Sequence, residues 1–573
     1  MESINLKEIF DAHLPGYFDK YPKFISRLAL NLLERILMIP EINQFLARGK
    51  DKHGFEFIDE LFDYLNFSYL ISSQDQLKIP SEGKTIIVAN HPLGALDGLA
   101  LLRAVATVRQ DVKIVANDIL MHVDNLSDYF LPYDVFSSRP QRKHIEGIRQ
   151  SILNDEAIIF FPAAEVSRLS LKGIRDRAWL NGPLYFARKY QTPVLPIYIK
   201  ARNTYLFYYA SLLHKRFSMF LLAREIDKKR NKSITLRVGD PIPSEHFSSS
   251  VINTKYQSRL LKRHVYRLGK KKPGIFKTVK TIIHPVDTKI IKNELSNAQL
   301  LTTASDGKLL YLVEFNTSPN VVKEISRLRE VTFRKVGEGT GAKTDFDRYD
   351  KYYKHIVLWD NDSLDIVGSY RLGLSKDIMD EYGIDGLYNA SLFNFSDRFM
   401  PYLEQSLELG RSFVQQKYWR SNALDQLWQG LAAFVAQNPQ IKYLFGAVSI
   451  SDNYSAVAKN MIVYFYNKWF GDKENLVTAK YRYVLSRQQE EEMSQLLNSE
   501  EYDKDFISLK STLKNLGFTI PILFRRYSEL CEKDGVKFLD FDVDKDFSNC
   551  VDGLVILTLD KLKPGKRKRY FGG

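Results

Sequence analysis

Five short apolar runs, β-branched near their centres and separated by helical-looking stretches, constrain this chain more than any other feature. They are Lys84 to Asn90, Val112 to Ala116, Ala157 to Phe161, Val194 to Ile199 and Ile234 to Val238. Each has the length of a strand and the apolar content of a core element. Strands that alternate with helices predict an α/β domain.

A turn-rich basic break follows, with Lys270-Lys271-Lys272-Pro273-Gly274 and then His284-Pro285-Val286-Asp287. Beyond it a second set of strand-like runs appears: Leu309 to Phe315, Ile356 to Asp360, Ile366 to Leu372, Leu407 to Val414 and Tyr443 to Val448, with a helix over Leu424 to Val435. The expected fold class is therefore α/β, with two α/β domains in series. The chain's 573 residues leave room for two domains of ordinary or large size. The boundaries read as an amphipathic helical region over 1–75, a first α/β domain over 76–265, a basic linker over 266–300 and a second α/β domain over 301–573. In the N-terminal region Phe24, Ile25, Leu28, Leu30, Leu32, Leu33, Ile36, Leu37 and Ile39 recur near helical spacing. Packing on its own domain and lying in a membrane interface both suit such a stretch; the first is the commoner outcome.

Charge is unevenly placed. The net charge is +14, yet residues 171–290 alone hold 26 Lys and Arg against 6 Asp and Glu. A second basic cluster closes the chain at Lys561, Lys563, Lys566, Arg567, Lys568 and Arg569. Such blocks suit a polyanion: anionic lipid, an acidic protein or nucleic acid. The block carries no recognisable nucleic-acid module and includes the apolar runs Tyr205 to Phe207 and Phe217 to Leu222, so nucleic acid is not the expected partner. Cys531 and Cys550 make neither a disulfide framework nor a metal spacing. No signal peptide is read at the N-terminus, and no run of 18 apolar residues predicts a spanning helix. The nearest candidate, Thr204 to Ala223, is interrupted by His214, Lys215 and Arg216.

Two motifs follow strands in the first domain. The first strand runs into Asn90-His91-Pro92-Leu93-Gly94-Ala95-Leu96-Asp97. An Asp six residues after a His can fix its tautomer, and the His can then deprotonate a hydroxyl. A plain helix-capping pair has the same spacing. The third strand runs into Phe161-Pro162-Ala163-Ala164-Glu165-Val166-Ser167-Arg168, a turn that offers a carboxylate, a hydroxyl and a guanidinium. In this order, about 70 residues apart, the pair resembles the glycerolipid O-acyltransferase family, which carries an Asn-His-four-residues-Asp motif and a Phe-Pro-Glu-Gly-x-x-Ser-like motif. The resemblance covers roughly 80–245. It implies His91 as general base on the acceptor hydroxyl, Asp97 as its orienting partner, and Glu165, Ser167 and Arg168 as the acceptor site. Five residues stand between His91 and Asp97 here, and the later motif reads Pro-Ala-Ala-Glu. Both variants look like the hemolysin-like and aminolipid branch.

The second domain carries Arg329-Glu330-Val331-Thr332-Phe333, then Asp345, Asp347 and Asp350, then Gly368-Ser369-Tyr370-Arg371, then Glu408-Leu409-Gly410-Arg411-Ser412. The Asp cluster suits an ammonium group. Glu408 and Arg411, three apart in a strand-like run, are expected on opposite faces. This order resembles the GNAT superfamily, in particular the ornithine-lipid N-acyltransferases and the acyl-homoserine lactone synthases, over about 310–450 and again near the C-terminus. It implies Glu408 as base on an amino group, acting through water. Arg329, Phe333, Asp345, Asp347, Asp350, Arg371 and Arg411 would then shape the substrate or donor site. The donor loop before the helix, Arg420-Ser421-Asn422-Ala423-Leu424, has no glycine; this favours a carrier-protein thioester over coenzyme A.

Joined in one chain, the two halves resemble bifunctional ornithine-lipid or glycine-lipid synthases: one domain N-acylates an amino acid with a 3-hydroxyacyl group, the other O-acylates the exposed hydroxyl. The resemblance implies no metal or cofactor beyond a thioester of acyl carrier protein or coenzyme A. It implies acyl carrier protein, an anionic membrane surface, an amino acid and a lyso-aminolipid as partners, and a peripheral place on the inner face of a bacterial inner membrane. The alternative is a lysophospholipid acyltransferase with a regulatory GNAT-like domain.

Overall fold

The computed structural model describes residues 22–571 except 37, 117–123, 134–141, 171–172, 214–220, 223, 249–252, 546 and 548. The start of the 1–75 region and most of the Phe217 to Leu222 run therefore lie outside the described residues. The chain divides into two compact units, Met1–His284 and Pro285–Gly573.

The first unit opens with helices α1 (Lys23–Ile36), α2 (Ile39–Arg48) and α3 (Gly54–Leu65). Then follow β1 (Ser68–Ile71), β2 (Thr85–Ala89), α4 (Ala95–Ala106), β3 (Val112–Ala116), β4 (Phe130–Pro132), α5 (Arg142–Leu153), β5 (Ala157–Phe160), β6 (Arg168–Ser170) and β7 (Gly173–Arg175). The unit ends with α6 (Gly182–Lys189), β8 (Val194–Lys200), α7 (Tyr205–Leu213), β9 (Ser233–Val238) and α8 (Thr254–Leu268). Seven strands form one sheet in the order β1-β9-β8-β2-β5-β3-β4. All neighbours are parallel except β8 and β9. Strand side chains alternate between the faces. Ile87 and Ala89 enter a core with Leu99 and Leu102 of α4, while Ile86 and Val88 enter one with Ile148, Ile152 and Phe186. Layers on both faces explain why these strands read as unbroken apolar runs. β1 falls inside the stretch expected to be wholly helical. It is an edge strand with exposed alternate residues, so its sequence lacks the apolar signature of the central strands.

The second unit comprises α9 (Thr288–Ser296), β10 (Gln299–Thr303), β11 (Leu309–Glu314), α10 (Pro319–Val336), β12 (Lys354–Asp360), β13 (Asp365–Leu374), α11 (Ser375–Tyr382), β14 (Phe393–Phe395) and β15 (Ser406–Val414). It continues with α12 (Ala423–Ala436), β16 (Tyr443–Ile450), α13 (Ala456–Phe470), β17 (Val477–Ala479), α14 (Arg487–Leu496), α15 (Tyr502–Asn515), α16 (Ile522–Ser528), β18 (Val536–Asp544), β19 (Cys550–Thr558) and α17 (Pro564–Phe571). Helix α9 thus occupies part of the 266–300 stretch read as linker. Its Ile291 and Leu295 pack against Val321 and Ile325 of α10.

Eight strands form a sheet in the order β10-β11-β12-β13-β15-β16-β19-β18, antiparallel except for β15 and β16. That parallel pair is joined only from Ser406↔Tyr443 to Glu408↔Phe445. Where pairing stops stands Gly446, whose missing Cβ would lie 2.1 Å from the Leu409 carbonyl oxygen. Gly446→Ala must therefore push backbone against backbone. We expect a loss of about 1–3 kcal/mol, read as a lower melting midpoint for the second unit alone. Among the described residues no helix is long and apolar enough to cross a membrane.

Candidate active sites

β2 and β5 are parallel neighbours, so the loops that leave their carboxyl ends emerge side by side. This brings together two motifs about 70 residues apart. The Asn90 side chain extends the ladder past β2: its amide donates to the Ile199 carbonyl (2.9 Å) and accepts from the Ile199 N–H (2.7 Å). The main chain is then free to turn, with Gly94 at φ 102° before α4 begins. His91 stands in this loop, its ring 4.2 Å from that of Phe161. Its Nδ1 lies 3.0 Å from Asp97 Oδ1; the His side chain is 18% exposed and Asp97 is fully buried. The other Asp97 oxygen accepts from the Leu93 N–H at 2.7 Å, which fixes the carboxylate in the first turn of α4. With Nδ1 turned to Asp97, Nε2 is the nitrogen left for an incoming hydroxyl.

The second motif closes on the first. The Ser167 N–H donates to the His91 carbonyl at 2.7 Å. The Ser167 hydroxyl points inward and donates to Asp176 Oδ1 at 2.5 Å. Glu165 is half-buried, 3.6 Å from Arg168 and 3.3 Å from Arg177. The Arg168 guanidinium lies 5.3 Å over the Phe207 ring of α7, and burial lowers its pKa. Asp176, which sequence reasoning missed, ties the motifs together. Its Oδ1 also accepts from the His91 N–H (3.3 Å), and its Oδ2 accepts from Trp179 Nε1 (2.9 Å). Its own N–H donates to the Tyr266 hydroxyl at 2.8 Å. In sequence it is one charge in Arg175-Asp176-Arg177; only its burial marks it out. Burial disfavours a charged His91 ring, but Asp97 and then Asp176 outweigh it, so the pKa is held above its ordinary value.

In the second unit the three aspartates meet the three arginines. Arg329 grips Asp350 with both terminal nitrogens (2.8 and 2.6 Å), and its Nε lies 3.0 Å from Asp345. Arg371 donates to both oxygens of Asp347 at 2.7 Å and reaches Asp350 at 3.3 Å. Arg411 lies 3.1 Å from Asp345 and 3.8 Å from Asp347. Three carboxylates thus face three guanidinium groups in a nearly closed network. Asp345 and Asp350, both buried, are committed to arginine and not open to an ammonium group as expected. Tyr349, Tyr353 and Tyr388 pack around the Arg371 cation at 5.2–5.6 Å. Phe333 packs edge-on against Phe547 at 5.2 Å, and Arg411 covers the same ring at 4.8 Å.

Glu408 is buried among donors. Its Oε1 accepts from the Asn389 N–H (2.7 Å) and side-chain amide (2.6 Å), and its Oε2 from the Tyr353 hydroxyl and the Tyr388 N–H (3.3 Å). Burial pushes its carboxyl up despite these bonds. The expectation that Glu408 and Arg411 face apart is corrected. Arg411 Nη1 donates to the Tyr388 hydroxyl at 2.9 Å, so both residues converge on Tyr388. The cause is a β-bulge: β15 carries one extra residue where Ser369↔Phe413 gives way to Arg371↔Gly410, and Arg411 sits at φ 50°. A bulge breaks the two-residue alternation. Sequence reasoning also missed Glu330, which accepts from Thr340 and Gly341 and so holds the loop after α10. At the start of α12 the Ser421 hydroxyl accepts from the Ala423 N–H at 3.2 Å.

A histidine–carboxylate pair at the carboxyl end of a central strand in one unit, and a bulged strand diverging from its parallel partner in the other, define a chain of two acyltransferase units. Family models agree: an acyltransferase model matches residues 16–271 and a GNAT acetyltransferase-domain model residues 328–429. A glycine N(alpha)-acyltransferase of Bacteroides thetaiotaomicron is 34% identical over 302 residues, 50% of this chain and 89% of that protein. A lyso-glycine lipid O-acyltransferase of Phocaeicola vulgatus is 29% identical over 253 residues, 43% of this chain and 89% of that protein. An L-ornithine N(alpha)-acyltransferase of Agrobacterium fabrum is 31% identical over 117 residues, 19% of this chain and 39% of that protein. The chain belongs to the aminolipid acyltransferase family, with an O-acyltransferase unit and an N-acyltransferase unit fused in one polypeptide.

Proposed function

We propose that the second unit N-acylates glycine with a 3-hydroxyacyl group and that the first unit then O-acylates the hydroxyl so presented, giving a two-chain glycine lipid. The observation that carries this reading is the pair of relatives, one for each half of the chain, whose names describe consecutive steps. In the first unit, His91 Nε2 takes the proton of the acceptor hydroxyl. The freed oxygen attacks the thioester carbonyl, the C–S bond breaks, and the imidazolium returns its proton to the leaving thiolate. Asp97 holds the ring and stabilises the imidazolium; Arg168 and Glu165 line the acceptor side. In the second unit, the amino group attacks the thioester carbonyl and its proton passes to Glu408, relayed by water or the Tyr353 hydroxyl; the C–S bond breaks and the leaving thiolate takes that proton to depart as the thiol. The Asp345, Asp347 and Asp350 network with Arg329 keeps Arg371 and Arg411 in place.

Acyl carrier protein is the donor we favour, with no further cofactor. Asp425 stands in the first turn of α12, where a pyrophosphate would otherwise be welcome. It is already held by Arg569 and Tyr570 of α17, each at 2.6 Å. The place of action is the inner face of the bacterial inner membrane, supported by the basic block over 171–290 and the α17 cations. Feeding the protein glycine and 3-hydroxyacyl and acyl carrier proteins tests the reading; diacylated glycine is expected, and no acylated amino acid of any kind contradicts it.

Asp176→Asn gives a sharper check on the first unit. Removing this carboxylate destabilises the imidazolium, so the His91 pKa falls and the neutral base survives to lower pH. The acid limb of kcat/KM for O-acylation is expected to move to lower pH. A limb that stays in place would separate His91 titration from the reaction.

A further inference from the structure

We propose that α7 is the element by which the first unit rests on an anionic lipid bilayer, and that the lyso-lipid acceptor enters the His91 site from the membrane along this helix. The inference deepens the O-acyl transfer reading and rests on it for the identity of the acceptor.

Helix α7 has two unlike faces. At 100° per residue, Phe207 and Tyr208 point to one side and Tyr205, Leu206 and Tyr209 to the other. Phe207 and Tyr208 are fully buried. Phe207 carries the Arg168 guanidinium, and the Tyr208 hydroxyl accepts from the Asn203 N–H at 3.0 Å. The Asn203 side-chain amide in turn donates to the carbonyl of Pro92, the residue after His91, at 3.2 Å. The inner face is therefore a wall against both acceptor-site motifs.

On the outer face Tyr205, Leu206 and Tyr209 are 57%, 52% and 60% exposed. Three large apolar side chains on one wedge of a nine-residue helix are costly to leave in water. α1 also exposes apolar side chains, at Phe24, Leu28 and Leu32; α7 differs in packing its other face on the acceptor motifs.

Charge selects the occupant. Arg202 lies over the Tyr205 ring at 5.5 Å and donates to its hydroxyl at 3.2 Å, and Lys200 beside it is exposed. Both belong to the block of 26 cations against 6 anions. Two tyrosines, a leucine and flanking cations match the headgroup boundary of an anionic bilayer, where aromatic rings sit half-immersed and cations meet lipid phosphate. The acceptor is itself an amphiphile that resides in that bilayer. A site walled by a membrane-contacting helix receives it without passage through water.

The test uses the full-length protein with Tyr205→Ser, Leu206→Ser and Tyr209→Ser combined. All three side chains are exposed and outside the acyl-transfer machinery. Co-sedimentation with phosphatidylglycerol vesicles and with phosphatidylcholine vesicles measures the contact. O-acylation of long-chain N-(3-hydroxyacyl)glycine in phosphatidylglycerol vesicles, and of a short-chain soluble analogue, measures acceptor entry. The wild type is expected to prefer phosphatidylglycerol, less so as salt is raised. The triple variant is expected to lose about tenfold or more in vesicle affinity and in turnover of the vesicle-borne acceptor. It should turn over the soluble analogue at the wild-type rate and N-acylate glycine normally. Unchanged vesicle binding and turnover overturn the proposal. So does an equal loss on both acceptors, which would make α7 a folding element or a carrier-protein dock. If the wild type O-acylates neither acceptor while the variant still sheds vesicles, the O-acyl reading fails and the bilayer contact stands.

Discussion

His91→Ala is expected to arrest synthesis at the singly acylated lipid. Among the described residues the ring is the one imidazole at the meeting point of the two first-unit motifs, with Nδ1 3.0 Å from buried Asp97. A positioned general base contributes about 10²–10⁴ in rate, so O-acylation should fall by about that factor. Fed glycine and both carrier-protein thioesters, the variant should accumulate N-(3-hydroxyacyl)glycine, since Glu408 and its donors lie in the other unit. Asp97→Asn should show the same arrest with a smaller loss. Diacyl product at the wild-type rate from His91→Ala would remove His91 from the reaction.

The second large effect is structural. Asp350 is fully buried and accepts two bonds from Arg329, with Arg371 at 3.3 Å. Asp350→Asn removes the charge and leaves Arg329 short of its partner in a dry site. Breaking a buried pair from one side costs about 3–5 kcal/mol. The second unit should melt at a markedly lower temperature, and N-acylation should go with it. The first unit, which has its own core, should keep its transition and its O-acylation of supplied lyso-lipid. Acid supplies a second readout. Burial works against the Asp350 carboxylate, but Arg329 and Arg371 win and hold it well below the usual carboxylate range. The folded pKa being depressed, its contribution is complete above the ordinary Asp value of about 4 and is lost as pH falls through the folded pKa. The Asn variant should lack that part of the wild type's acid sensitivity.

Legibility in the sequence followed burial. Thr85–Ala89 and Ala157–Phe160 are interior strands buried at every position, and Val112–Ala116 at alternate ones, so their apolar runs carried the fold class. Val536–Asp544 was not legible as a strand: it places Asp540, Asp542 and Asp544 at alternate positions within the sheet, against the usual preference of strands. The motif residues were legible because strand-end chemistry is local. Their partners were not. Nothing near Asp350 in sequence announces Arg329 or Arg371, and nothing near Ser167 marks Asp176 as the carboxylate that would hold it. The bulge was hidden for a different reason. Arg411 takes a left-handed conformation that sequence assigns to glycine, so alternation along β15 put its side chain on the wrong face.

One polypeptide is expected to perform both acyl transfers. Mass spectrometry of lipids from a host that lacks aminolipids, expressing the wild type, His91→Ala or Glu408→Ala, tests it most directly. The wild type should yield the diacylated amino acid, His91→Ala only the singly acylated one, and Glu408→Ala neither. Diacylated lipid from Glu408→Ala, or no acylated amino acid from the wild type, would contradict it.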